Sequence, residues 1–230
     1  MDNRSGVEKQ AGLKEFGETS PSSQPVAIRL FAKFISYLFH PVFVPVYIVL
    51  FMVYEHPYLF AGFSGLDKTR TVIMAAMMFS FFPVVTVLLL KALKFINTFN
   101  LTTQKDRIIP LIACGVWYWW IWNVWRNLPE YPTQAVQLAL AIWISASLGL
   151  MANIIMKVSL HAISMGVMLA FIFLLAFTQP LNAGIYISAA LLIAGAVCTS
   201  RFISSDHLPR EIYGGLFIGI ISMLAANLFG

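Results

Sequence analysis

Apolar residues run along this chain in long, nearly unbroken stretches separated by short polar segments, rather than in the short alternating strands of a transmembrane barrel. About 20 such residues cross the roughly 30 Å of bilayer hydrocarbon as a helix. The pattern predicts helices at 28–54, 71–96, 109–127, 134–156, 159–178, 183–201 and 211–229. The first contains HPVFVP, His40 to Pro45, and two prolines so close kink or split a helix. Residues 28–39 can then lie in the membrane interface, and the count is six or seven. The expected fold is all-α, a polytopic membrane helical bundle. Residues 1–26 are polar, of mixed charge and rich in Ser, Gly and Pro, and read as a disordered tail. Residues 27–230 read as a single transmembrane domain, and no removable signal peptide is expected at the start.

Composition strengthens this picture. The 230 residues are 59% hydrophobic and 11% charged, against roughly 45–50% and 25% for soluble domains. Mean hydropathy is +0.79. The net charge of +5 rests on few residues, so placement matters more than the sum. Nucleic acid is not an expected partner; the lipid bilayer is. Cys114 and Cys198 lie in or beside apolar segments without metal-ligand or CxxC spacing, so neither a disulfide framework nor a zinc site is expected. The run WYWWIWNVW, residues 117–125, reads as the aromatic belt of a helix meeting lipid headgroups rather than as a stacking site.

With alternating spans, one face receives three polar clusters. LTTQKDRIIP carries Lys105, Asp106 and Arg107 before an apolar run; taken alone, such cations snorkel or mark a membrane face. KVSLHAI carries Lys157, Ser159 and His161 at a helix start, where free backbone N–H groups favour an anion. In SRFISSDHLPRE, Ser200 and Arg201 end one helix, while His207 and Glu211 stand four apart at the start of the next. That spacing lets a carboxylate fix the tautomer of an imidazole. Together the clusters supply what phosphoryl transfer needs: guanidinium forks for phosphate oxygens, cations for the charge of the transferring group, and two imidazoles to divide nucleophilic and acid–base work. The set requires no metal and no cofactor.

Ser200-Arg201, five residues, His207, three residues and Glu211 resembles the third signature, S-R-x5-H-x3-D, of the type 2 phosphatidic acid phosphatase superfamily, with Glu in place of Asp. VSLH, residues 158–161, stands where that family has P-S-G-H and keeps Ser159 and His161. Lys105 and Arg107 are the nearest match to K-x6-R-P, with Pro110 three residues beyond Arg107. The resemblance spans roughly residues 100–230. It implies a metal-independent membrane phosphatase, a phosphoric monoester or pyrophosphate hydrolase acting on a lipid phosphate or prenyl pyrophosphate. His207 would form the phosphohistidine, Glu211 would orient it, and His161 would protonate the leaving oxygen. Arg201, Ser159, Arg107 and Lys105 would hold the phosphate. The alternative is a degenerate relative that binds or transports lipid phosphates without turnover. A plasma (inner) membrane location is expected. Basic residues outside the site lean to a cytoplasmic face and the resemblance implies the opposite one, so the face stays open.

Overall fold

The computed structural model describes residues 24–96, 104–178, 183–204 and 207–230, with only the backbone at Gln104 and Lys105. Most of the expected tail, residues 1–23, lies outside the described residues, and its last position, Val26, already opens a helix. All regular structure among the described residues is helical. In chain order the helices are α1 (Val26–Leu38), α2 (Val44–Leu50, ending in a π-helical turn at Phe51–Glu55), α3 (Gly65–Ala92, with a π-helical turn at Met77–Phe81), α4 (Gln104–Arg126), α5 (Thr133–Ile155), α6 (Leu160–Thr178), α7 (Gly184–Ser204) and α8 (Pro209–Phe229). Six of these, α3 to α8, are long and apolar enough to span a bilayer. The chain is therefore an integral, multi-pass membrane protein.

The predicted first span is two helices instead of one. At 13 residues, α1 reaches only about 20 Å, short of the hydrocarbon thickness. His40 precedes a proline, which disfavours the helical conformation there. Pro45 sits in the first turn of α2, where its missing N–H costs nothing. The break is not loose. The His40 carbonyl accepts the Phe43 and Val44 N–H groups at 2.8 and 3.3 Å. Ser80 on α3 donates its hydroxyl proton to the Val42 carbonyl at 2.8 Å, so an acceptor freed by the break is satisfied in an apolar setting. Ala32 and Ser36 are buried on α1, while Leu30, Phe31, Phe34 and Leu38 face outward as lipid-facing side chains would.

Other boundaries follow local chemistry. α3 begins six residues before the predicted start because the Ser64 hydroxyl accepts the Asp67 N–H at 3.2 Å and caps the helix. α8 begins at Pro209, in the first-turn position that proline favours. The core lies among α3, α5, α6 and α8, around Phe79, Leu138, Met165, Phe171 and Met223. The tryptophan run divides between lipid and core. Trp119 and Trp120 face outward, whereas Trp125 is fully buried and Trp122 stacks on Trp143 with centroids 6.0 Å apart. An aromatic belt accounts for only part of it.

One crossing fixes the site. α6 and α8 meet backbone to backbone at Gly166, Gly215 and Gly219. A β-carbon added at Gly219 would lie 2.8 Å from the Val167 nitrogen and 2.9 Å from the Gly166 Cα. Small residues four apart let membrane helices approach this closely. The Ser159 N–H just before α6 also donates to the Glu211 carbonyl at 3.1 Å, tying the two N-termini together.

Candidate active site

The ends of α3 and α5, the starts of α4, α6 and α8, and the end of α7 all lie at one end of the bundle, and the α1–α2 break packs beside them. A cavity of about 660 Å³ opens there. Lys33, Arg107, Lys157 and Arg201 line it, and no carboxylate does so among the described residues. Arg107, Lys157 and Arg201 stand at or near helix ends, and Lys33 lies in the middle of α1. Deeper walls are apolar: along α4, Arg107 gives way to Leu111, Cys114 and Tyr118, a descent of about 16 Å at the helical rise. Ile142 on α5 and Val167 on α6 continue that lining. The cavity thus has a cationic mouth and an apolar depth.

His207 stands at the mouth, two residues before α8. Its Nδ1 lies 2.8 Å from Glu211 Oε2, which also accepts the Leu208 N–H at 3.2 Å. An ionised carboxylate only accepts, so Nδ1 carries the proton and Nε2 keeps its lone pair. The longer glutamate chain fits by folding back over the first turn of α8, where it closes a free backbone N–H as well as the imidazole. Burial holds the His207 ring below its ordinary 6.5; the Glu211 hydrogen bond opposes that, and the charges of Arg201, Arg107 and Lys157 add to it. The net effect favours the uncharged ring.

Arg107, nearly buried, donates from Nη1 to the Val158 carbonyl at 2.7 Å, which ties α4 to the α5–α6 junction. Arg201 donates to Ser36 Oγ at 3.4 Å. His161 lines the cavity, and its Nε2 donates to the Ser36 carbonyl at 3.0 Å, leaving Nδ1 as the unprotonated nitrogen of the neutral ring. Ser36 is thus held by two of the expected site residues. Ser200 gives its own proton to the Val197 carbonyl at 2.7 Å, so in the 3.0 Å contact between Ser36 and Ser200 the proton comes from Ser36. The Ser36 hydroxyl donates to Ser200 and accepts from Arg201, with both functions used.

Ser159 stands just before α6. It is fully buried, lies off the cavity wall, and accepts the Ala162 N–H at 3.4 Å as the cap of α6. The Lys105 side chain lies outside the described residues. His207, His161, Arg201 and Arg107 come together on the cavity wall, with Glu211 behind His207. Sequence reasoning missed Ser36, His40, Lys33 and, as a wall residue, Lys157. The only signal for the first two was HPVFVP, which marks a break without naming its neighbours. Among the described residues no three of His, Cys, Asp and Glu converge as a metal site. No protein-family model, no curated protein and no solved structure matches the chain.

Proposed function

We propose that this protein is a membrane phosphatase of the type 2 phosphatidic acid phosphatase kind, hydrolysing a lipid phosphate or prenyl pyrophosphate through a phosphohistidine. One observation carries the reading: an imidazole oriented by a carboxylate stands at the cationic mouth of a cavity that turns apolar with depth. An anionic head with a hydrocarbon tail is the ligand such a cavity suits. His207 Nε2 attacks phosphorus, the bond to the leaving oxygen breaks with its electron pair, and that oxygen takes a proton from His161, which enters the cycle as the imidazolium. Because Nε2 of His161 is held by the Ser36 carbonyl, Nδ1 is the nitrogen that exchanges the proton. Water then attacks the phosphohistidine, gives its proton to His161, and returns His207 neutral. Arg201, Arg107 and Lys157 hold the phosphoryl oxygens, where positioned charge is worth most.

The experiment is release of inorganic phosphate from a panel of lipid phosphates by purified protein in detergent with excess EDTA, together with an acid-labile label trapped by rapid quench. Wild type is expected to release phosphate and to carry the label, and His207→Ala to do neither. The burial of Ser159 away from the cavity favours a second reading, a relative that binds lipid phosphates without turnover. Tight binding of a lipid phosphate with no release and no label would establish that reading instead.

A further inference from the structure

The HPVFVP break brings a third imidazole to the cavity. His40 lines the wall, and its ring centroid stands 5.4 Å from that of His161 in an edge-to-face arrangement. Its backbone is fixed by the hydrogen bonds of the break and by Ser80, so the ring is carried on a pinned segment. The Val42 N–H donates to His40 Nδ1 at 3.4 Å. A nitrogen that accepts from a backbone N–H bears no proton of its own, so the His40 proton resides on Nε2. Protonating Nδ1 would set two donors against each other, and the charged groups nearest the ring, Arg201 on α7 and His161 on α6 when protonated, are cationic. His40 is built to remain a neutral N–H donor.

The two imidazoles are therefore complementary. His161 commits its Nε2–H to a backbone carbonyl and exchanges protons at Nδ1, while His40, on the same cavity wall, uses Nδ1 as an acceptor and carries its proton on Nε2. Position adds to this. On one side of His40 lies His161 at the cationic mouth, and on the other the wall continues through Val42, Pro45 and Ile48 into the apolar depth. In an amphiphile bound head to mouth and tail to depth, that boundary is where the oxygen joining phosphorus to the tail must lie.

Building on the phosphatase reading, we propose that His40 is a further catalytic residue whose neutral Nε2–H donates a hydrogen bond to this bridging oxygen. The bond strengthens as the P–O bond breaks and negative charge gathers on that oxygen. The proton itself comes from Nδ1 of His161, which carries one in the imidazolium form that enters the cycle, so no proton need leave His40. A neutral imidazole can polarise an oxygen in this way when its surroundings keep it uncharged.

The test compares His40→Ala and His40→Gln with wild type, in detergent and in a native-like elution state, on dodecyl phosphate and on para-nitrophenyl phosphate. The alkoxide leaving group needs the donor, whereas the nitrophenolate departs without it. His40→Ala should lose about 10²-fold in kcat/KM on the alkyl substrate, the scale of one lost oxyanion donor, and under about tenfold on the aryl one. His40→Gln, which keeps a donor amide, should recover part of the alkyl deficit only. Equal deficits on both substrates, or none, would overturn the role of His40 while leaving the phosphohistidine label of wild type intact. A wild-type chain that releases phosphate from neither substrate overturns this role and the phosphatase reading together. Should His40→Ala elute as aggregate, the alkyl-to-aryl ratio of His40→Gln decides alone: an unchanged ratio overturns the role.

Discussion

Two parts of the molecule hold site residues by opposite means. At the α6–α8 crossing, glycines bring two regular helices into backbone contact, His161 and Glu211 ride on their first turns, and His207 stands two residues before α8. At the α1–α2 break, regular structure stops two residues after Ser36, and this segment is placed by individual hydrogen bonds: Ser80 of α3 to the Val42 carbonyl, and His161 of α6 and Arg201 of α7 to Ser36. The crossing leaves no slack, because its contacts are backbone atoms that cannot rotate away. The break depends on side-chain contacts that can each be removed singly. Under the proposed phosphatase reading, rigid geometry suits a nucleophile that must meet phosphorus in line, and adjustable geometry suits groups that support it.

Substitutions can break or sharpen that contrast. The largest effect is expected from Gly219→Leu, whose side chain meets the backbone of Ile163, Gly166 and Val167. Overpacking there should cost about 3 kcal/mol or more and abolish activity, read as a lower unfolding temperature in detergent. Gly195→Leu on α7, where an added β-carbon meets nothing within 4 Å, should fold normally. Equal damage at both positions would mean that the crossing is not the tight element.

Glu211→Gln comes next, with kcat/KM falling about 10- to 100-fold, the value of a hydrogen bond to a charged group. Its pH profile carries a sign. Attack needs neutral His207, so wild-type kcat/KM should fall as pH drops through the ring's value below 6.5. Because Glu211 raises that value, the glutamine variant should shift the acid limb to lower pH. The same depressed ring contributes folding stability above pH 6.5, and the contribution is lost as pH falls through the folded-state value. A limb moving upward would place Glu211 in another role.

Ser36→Ala should have the smallest effect, about three- to tenfold in kcat/KM, as befits one neutral hydrogen-bond group. The Ser36 carbonyl, and with it the His161 contact, remains. A loss exceeding that of Glu211→Gln would show the break to be as demanding as the crossing.

What could be read in the sequence follows the same division. His207 and Glu211 are four apart across the start of one helix, so their pairing is a local fact that spacing reveals. Arg201 and Arg107 were legible as cations at the ends of apolar runs. Ser36 and Ser200 are separated by 164 positions, and no local pattern brings them together. Ser159 was read as a phosphate ligand through the resemblance; its hydroxyl also accepts the Ala162 N–H, the capping bond that serine just before a helix commonly makes. The six spans were legible from hydropathy and the HPVFVP break from its prolines, whereas the early start of α3 needed the serine cap at Ser64 to be seen.

The α1–α2 segment has one further consequence. One side of it lines the cavity, while Phe34, Leu38, Phe43 and Tyr47 on the same short segment are exposed on the outside of the bundle. An amphiphile dissolved in the surrounding bilayer is thus separated from the cavity on this side by one short helical segment. For such a ligand the governing concentration is its mole fraction in the two-dimensional lipid phase. Diluting it with inert detergent at constant bulk concentration should lower occupancy, as it does for a solute partitioned into an oil film.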